Sequence, residues 1–123
     1  MKILIVDDSK MSRRLIRGIL EQDLNLQTEL REASNGQEAI ALLEKETADL
    51  VFLDLTMPGL SGFDVLEEIK RRSFQAQVFV LSADIQTKAR EKVLSLGAKD
   101  FIAKPVCAQV LREVLRSHGI INE

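Results

Sequence analysis

Short apolar runs alternate along the chain with longer segments in which apolar residues recur every three or four positions. The runs at 2–6, 49–53 and 77–81 are apolar almost throughout, which is typical of strands covered on both faces of a parallel sheet. Weaker runs at 29–33 and 100–102 predict two more strands. The pattern therefore predicts five strands separated by helical segments.

The segments between and after these strands have the apolar spacing of amphipathic helices. The first is predicted to start with the residues after position 8, and the third begins at a capping box formed by Ser61 and Asp64. Gly97 is predicted to end the fourth helix, and Pro105 lies at or before the first turn of the fifth. The apolar positions that define the five helices are Met11, Leu15, Ile16, Ile19 and Leu20; Ala39, Ile40 and Leu43; Phe63, Leu66 and Ile69; Ala89, Val93 and Leu96; and Val106, Val110, Leu111, Val114 and Leu115.

The alternation of strands and helices predicts an α/β fold, with a mostly parallel sheet and helices on both of its faces. Crossover connections between parallel strands are expected to be right-handed. Ligands of such sheets bind outside the carboxyl ends of the strands, where the strand order reverses. The residues that directly follow the predicted strands are therefore the first candidates for a functional site.

Composition narrows the class of protein. The 123 residues are 46% apolar and 29% charged, with a net charge of −2, which suits one globular domain and offers no basic face for nucleic acid. No apolar run approaches a membrane span, and no signal peptide is present, so we expect a cytoplasmic protein. The single cysteine, Cys107, is expected to be a small, partly buried hydrophobic residue, and the single histidine, His118, a cation at a helix C-terminus.

Polar side chains follow four of the predicted strands. Asp7 and Asp8 follow the first strand, Asp54 the third, Ser82 the fourth and Lys104 the fifth. Because the carboxyl ends of parallel strands meet at one edge of the sheet, we expect these side chains to converge. Three carboxylates cannot all stay ionised at close range without compensation. Mg²⁺, or Mn²⁺ in its place, is the natural compensating ion because it takes a few protein oxygens and keeps positions for water or phosphate.

The same set of residues matches the needs of phosphoryl transfer, in which a nucleophile attacks in line and positive charge stabilises the equatorial oxygens. Asp54 is the candidate nucleophile, since carboxylates form aspartyl phosphates in other enzymes. Lys104 supplies a compact positive charge. Ser82 can donate a hydrogen bond to a phosphoryl oxygen.

Four motifs carry a resemblance to a known family. VDDS at 6–9, LDLTMPGLSG at 53–62, LSA at 81–83 and AKP at 103–105 each follow or end a predicted strand. Together they resemble the receiver domain of two-component response regulators over essentially the whole chain. The resemblance implies a flavodoxin-like, doubly wound sheet with strand order 2-1-3-4-5 and five helices, an order documented for a member of this family.

The resemblance also implies roles for the residues of the site. Asp54 is expected to be the phosphoacceptor, assisted by Lys104 and Ser82. Asp7 and Asp8 are expected to bind the metal ion together with Asp54 and the backbone carbonyl of Thr56.

Further expectations from the resemblance concern the switch and the lifetime of the signal. Phe101 occupies the position of the family's switching aromatic residue, which rotates inward when Ser82 moves. Thr56 and Asp84 are expected to tune the attack of water on the phosphoryl group. The Lys104–Pro105 bond is expected to be cis.

These expectations describe a phosphorylation-activated signalling protein rather than an enzyme with ordinary turnover. Its donor would be a sensor histidine kinase, a histidine phosphotransfer protein or a small phosphodonor. Its output would be binding to a downstream protein, as in chemotaxis, and a phosphatase is a further candidate partner. We expect residues 1–123 to form one receiver domain without an output domain, unless the chain has been excised from a longer protein.

Other functions remain as alternatives. The chain could be a phosphorelay intermediate that passes its phosphoryl group to another histidine. A phosphatase of the haloacid-dehalogenase type also uses a strand-end aspartate, Mg²⁺ and a lysine. Such enzymes have a second aspartate two residues after the first, whereas Thr56 follows Asp54 at that spacing. A flavodoxin-like FMN carrier lacks support because the chain contains no Trp or Tyr to stack on a flavin.

Overall fold

The computed structural model describes residues 1–24, 26–83 and 86–121. Five strands form one sheet in the order β2-β1-β3-β4-β5, and each neighbouring pair is parallel. This confirms the predicted fold class and strand order. The strands are β1 (Lys2–Val6), β2 (Glu29–Ala33), β3 (Leu50–Asp54), β4 (Gln77–Ser82) and β5 (Asp100–Ala103).

Five α-helices connect and follow the strands, and most begin at a side-chain cap that the local sequence provides. The Ser9 side chain accepts from the Ser12 N–H at the start of the first helix, and Ser61 and Asp64 form the predicted capping box at the third. The first helix continues into a π-helical turn over Ile19–Asp23. The helices are α1 (Lys10–Gly18), α2 (Gly36–Lys45), α3 (Gly62–Arg71), α4 (Thr87–Ser95) and α5 (Ala108–Ser117).

The sheet separates two hydrophobic cores because successive side chains of each strand point to opposite faces. In β3, Leu50 and Phe52 pack with residues of α1 and α5. Val51 and Leu53 pack with residues of α2 and α3 on the other face. Every residue of β3 is buried, which explains why its sequence is a continuous apolar run and not an alternating one.

The observed elements differ from the predicted ones at a few ends. β3 begins and ends one residue later than predicted, and β4 and β5 each end one residue later. Asp54 and Ser82 are therefore the last residues of their strands. The fifth helix begins later than predicted, at Ala108, and Val106 is a buried residue of the preceding loop. None of the helices in the described residues is long and apolar enough to cross a membrane.

The prediction for Cys107 was wrong. Its side chain is exposed, because Cys107 is the N-cap residue of α5 while the neighbouring Val106 turns into the core. Side chains at an N-cap face away from the helix core, and an apolar residue just before the cap takes the buried position.

Candidate phosphoacceptor and metal site

The pocket at the carboxyl edge of the sheet is organised around Asp7, which directly follows β1. Its backbone N–H donates to the carbonyl of Ala33 on β2 at 3.1 Å. Its Oδ1 accepts from the Ser9 N–H at 2.9 Å, and its Oδ2 accepts from Lys104 Nζ at 2.7 Å. Asp7 is 0% exposed. A fully buried carboxylate is tolerated here because it is both hydrogen-bonded and paired with a cation.

Asp54 reaches the same pocket from the end of β3 and is only 5% exposed. Its Oδ1 lies 3.2 Å from Lys104 Nζ, and its carboxylate also accepts from the backbone N–H of Thr56. Burial and the nearby charge of Asp7 raise the pKa of Asp54 to about 6, although Lys104 and the Thr56 N–H oppose this rise. The environment therefore penalises the ionised form of Asp54 that a nucleophile requires.

Lys104 is the cation that links the two buried acids. It follows β5, where its backbone N–H donates to the carbonyl of Ser82 at 2.8 Å. Burial lowers the pKa of its ammonium group, but the hydrogen bonds and charges of Asp7 and Asp54 outweigh this effect and raise it above the ordinary value. The Lys104–Pro105 peptide bond is cis, as expected.

A third acid completes a cluster that fits a hard divalent cation. Carboxylate oxygens of Asp7, Asp8 and Asp54 all lie within 4.8 Å of one another, and Asp8 is exposed to solvent whereas the other two are buried. When all three are ionised, the single charge of Lys104 leaves two negative charges uncompensated. An all-oxygen donor set with one solvent-facing carboxylate suits Mg²⁺, which binds through few protein ligands and retains water.

The two predicted switch residues, Ser82 and Phe101, belong to the strands that end at this pocket, and both side chains are buried. Ser82 ends β4 and is 2% exposed. Phe101 on β5 packs in the same hydrophobic core as Val80 and Val93, so its ring is already in an inward position. The predicted movement of Phe101 stays a prediction, and Asp84 lies outside the described residues.

Gly62 is a positioning residue that the sequence reasoning did not identify. A Cβ atom at this position would lie 2.7 Å from both the carbonyl oxygen of Asp54 and the Cα of Leu55. The first residue of α3 can therefore approach the end of β3 only as glycine. The signal was present in the sequence as the glycine at the end of the LDLTMPGLSG motif.

Arg13 is a second residue whose place in the site was missed. Arg13 lies in the first turn or so of α1, where its Nη1 donates to the carbonyl oxygen of Asp7 at 2.6 Å and its Nε donates to Glu32 Oε1 at 2.8 Å. Although burial raises the pKa of Glu32, hydrogen bonds from Arg13 and Arg17 lower it to below its usual range. The contact with Glu32 joins residues 19 positions apart, and the contact with Asp7 depends on how α1 folds back on the end of β1, so that apolar periodicity reveals neither.

His118 lies at the C-terminal cap of α5, as expected. Its Nε2 is 3.0 Å from Asp100 Oδ2, and its ring meets the edge of Phe79 with centroids 5.4 Å apart. The sequence reasoning missed the carboxylate partner at the start of β5. His118 thus ties the end of α5 to the edge of the sheet remote from the acid cluster.

Comparisons with known proteins agree with this geometry. The family model described as "Response regulator receiver domain" matches residues 3–116. The chain is 38% identical to the chemotaxis protein CheY of Bacillus subtilis over 93% of each chain. It is 39% identical to a protein-glutamate methylesterase/protein-glutamine glutaminase of Koribacter versatilis, over 85% of this chain but 29% of that protein. A solved structure of a CheX-CheY-BeF3-Mg²⁺ complex from Borrelia burgdorferi superposes with a TM-score of 0.88 and 28% identity, covering 98% of this chain and 90% of that chain.

Proposed function

The chain belongs to the response regulator receiver domain family of two-component signalling, and we propose that it is activated by transfer of a phosphoryl group to Asp54. The observation that carries this proposal is the convergence of Asp54, Asp7 and Lys104, with Lys104 Nζ 2.7 Å from Asp7 and 3.2 Å from Asp54. A nucleophile, an acid beside it and the ammonium group of Lys104 are thereby within reach of one phosphoryl group.

In the proposed reaction, a carboxylate oxygen of Asp54 attacks the phosphorus of the donor. The new O–P bond forms as the bond between phosphorus and the donor breaks, and the donor leaves with the electron pair. The Lys104 ammonium exchanges part of its contact with Asp54 for an oxygen of the phosphoryl group. The hydroxyl of Ser82 donates to a second oxygen. Both interactions stabilise charge that is greatest during transfer.

Asp7, Asp8, Asp54 and the backbone carbonyl of Thr56 would hold Mg²⁺, or Mn²⁺, in this site. The bound ion would supply positive charge against the acids and against the transferred group. Asp8 is the accessible member of the cluster, so that it offers the entry point for an ion that arrives hydrated. The related Borrelia complex contains BeF3 and Mg²⁺, which supports Mg²⁺ as the ion, and the acid cluster of this chain supports the three carboxylates as its ligands.

The output would follow from a change in the surface formed by α4, β5 and α5. In α4, all nine residues of which are described, Val93 is the buried residue, and the N-cap Gln86 makes no side-chain cap hydrogen bond. A helix held by so little burial is easily shifted. We propose that new contacts of Ser82 and Phe101 bias this surface between two states, which a downstream protein distinguishes.

The decisive experiment is labelling with a small phosphodonor and Mg²⁺, followed by intact mass and peptide mapping. Wild-type protein should gain one phosphoryl group on Asp54, and Asp54→Asn should gain none while keeping its far-UV circular dichroism spectrum. Asp49→Asn, which changes an exposed acid before β3, is the matched control and should label normally. Full labelling of Asp54→Asn would refute the assignment of the nucleophile.

The same labelled sample separates a switch from a phosphatase. Thr56 stands where a haloacid-dehalogenase-type phosphatase has its general acid, so the aspartyl phosphate should persist and not turn over many times per second. We further propose that Thr56 and Asp84 set its lifetime. Continuous rapid release of phosphate from excess donor would favour the phosphatase instead.

The partners follow from this function. We propose a sensor histidine kinase or a histidine phosphotransfer protein as donor, in the cytoplasm, and a chemotaxis-type target protein as receiver of the signal. Transfer from the labelled chain to a histidine phosphotransfer protein would instead identify a phosphorelay intermediate. Relatives carry this domain either over nearly their whole length or as 29% of a longer protein, so the single-domain organisation is also a proposal.

A further inference from the structure

The peptide carbonyl of Asp7 is a buried polar group just past the end of β1. β1 ends one residue earlier, at Val6, and its ladder with β3 ends at the pair Val6 and Leu53. The Asp7 carbonyl therefore lies beyond the ladder with β3, on a residue that is 0% exposed. Buried backbone carbonyls need a hydrogen-bond partner, and here one side chain supplies it. That side chain is Arg13, whose Nη1 lies 2.6 Å from the carbonyl oxygen.

Arg13 is itself held in place. Its Nε donates to Glu32 Oε1 at 2.8 Å, and its side chain is only 15% exposed. The other carboxylate oxygen of Glu32 accepts from Arg17 Nε at 3.0 Å. Because a guanidinium group is planar and donates in fixed directions, Glu32 also fixes the direction in which Nη1 points. The contact with Asp7 thus comes from an anchored arginine and not from a freely moving surface side chain.

We propose that Arg13 is a positioning residue for divalent-ion binding, because by holding the Asp7 carbonyl it fixes the peptide that joins Asp7 to Asp8. The orientation of that peptide determines where the Asp8 backbone begins, and hence where its carboxylate lies relative to the other acids. This inference rests on the proposed function, in which the acid cluster binds Mg²⁺ or Mn²⁺. Arg13 would thus affect ion binding through the position of the acids, without contacting the ion itself.

Charge alone predicts the opposite effect, which makes the proposal easy to test. A cation beside an acid cluster weakens the binding of a second cation, so that removing it should tighten binding if electrostatics were the whole effect. If Arg13 positions the acids, removing it should weaken binding despite the loss of a positive charge. The sign of the change therefore separates the two explanations.

The probe is Mn²⁺, titrated into metal-free protein and followed by the electron paramagnetic resonance signal of the free ion. Arg13→Gln should bind Mn²⁺ about tenfold more weakly than wild type, as for other residues that orient metal ligands. Arg13→Lys keeps one donor group but cannot hold Asp7 and Glu32 together in the same way, and should fall between the two. Glu32→Gln leaves Arg13 in place with a weaker anchor, and should bind a few-fold more weakly, by roughly the same reasoning.

A neighbouring arginine provides the matched control. Arg14 is exposed on the same helix, and Arg14→Gln removes a charge without touching Asp7 or Glu32. This variant should bind Mn²⁺ as tightly as wild type or more tightly.

A second measurement uses the protein without metal. The NMR amide shift of Asp8 should change in Arg13→Gln and stay unchanged in Arg14→Gln, because only the former frees the peptide between Asp7 and Asp8. If Arg13→Gln does not fold by circular dichroism, Arg13→Lys carries the test, because it keeps the positive charge and should still bind Mn²⁺ more weakly than wild type.

Two results would overturn the proposal. Equal or tighter Mn²⁺ binding by folded Arg13→Gln, with wild type binding normally, would refute positioning by Arg13 and leave the proposed function intact. A wild-type protein that binds no Mn²⁺ and takes no label on Asp54 would overturn both the proposed function and this inference.

Discussion

We expect the ionised, buried carboxylate of Asp54 to lower the free energy of unfolding of the protein. In the substitution Asp54→Asn, the charge is removed while the shape of the side chain is kept. The pKa of Asp54 is raised from 3.8 to about 6 by burial and by the charge of Asp7. A group whose pKa is higher in the folded state binds more protons there, so stability falls as pH rises between these two values and stays low above them.

The size of the effect follows from the same shift. Each pKa unit corresponds to about 1.4 kcal/mol, so the ionised carboxylate lowers the free energy of unfolding by about 3 kcal/mol at pH values well above 6. Asp54→Asn should therefore be about 3 kcal/mol more stable than wild type near pH 8. At pH 5, where the wild-type carboxylate is largely protonated in the folded state, the gain should shrink to about half of that.

The assay is urea unfolding followed by far-UV circular dichroism, since the chain has no Trp or Tyr for fluorescence. A chelator keeps divalent ions out of the site. Asp23→Asn, which changes an exposed acid at the end of the π-helical turn, controls for the loss of one negative charge. Equal or lower stability of Asp54→Asn at pH 8, or a gain that does not depend on pH, would refute the reasoning.

Three further outcomes are expected. Lys104→Met should lower the free energy of unfolding by about 1–3 kcal/mol at pH 8, because the buried Asp7 carboxylate loses its hydrogen-bond donor. The loss should be smaller at pH 5, where Asp54, whose pKa is raised, is largely protonated, and an effect that does not depend on pH would contradict this account. Gly62→Ala should lower the free energy of unfolding by about 2 kcal/mol or more, since its Cβ would lie 2.7 Å from the Cα of Leu55. Gly18→Ala, whose Cβ would have nothing within 4 Å, should instead raise it by about 1 kcal/mol, and thermal melts of the two variants test this contrast. Saturating Mg²⁺ should stabilise wild type by about 3 kcal/mol at a hundredfold excess over the dissociation constant, and a melting temperature unchanged by Mg²⁺ would count against a metal site.

Much of the fold was predictable because each element is encoded locally. The five strands were found by their apolar runs, and β1 and β2 have the predicted ends. The third helix was predicted from its capping box, which the structure contains. Burial on both faces of a central strand leaves a continuous apolar sequence, so β3 was recognisable without any knowledge of its neighbours.

The residues that meet at the candidate site were also predictable, since the carboxyl ends of parallel strands lie at one edge of the sheet. The sequence reasoning placed Asp7, Asp8, Asp54 and Lys104 together, and they do converge. It did not foresee that Lys104 would bridge two of the acids. Which cation compensates a buried acid depends on distances of a few ångströms, and spacing along the chain does not give them.

What the sequence determined by itself was the order of elements, the caps that begin several helices and the set of polar residues at the strand ends, because these depend on near neighbours in the chain. What only the tertiary structure decided was the contact of Arg13 with the Asp7 carbonyl, the raised pKa of Asp54 and the close approach of Gly62 to the end of β3. These features depend on burial and on distances between groups of different elements, and both exist only once the chain has packed.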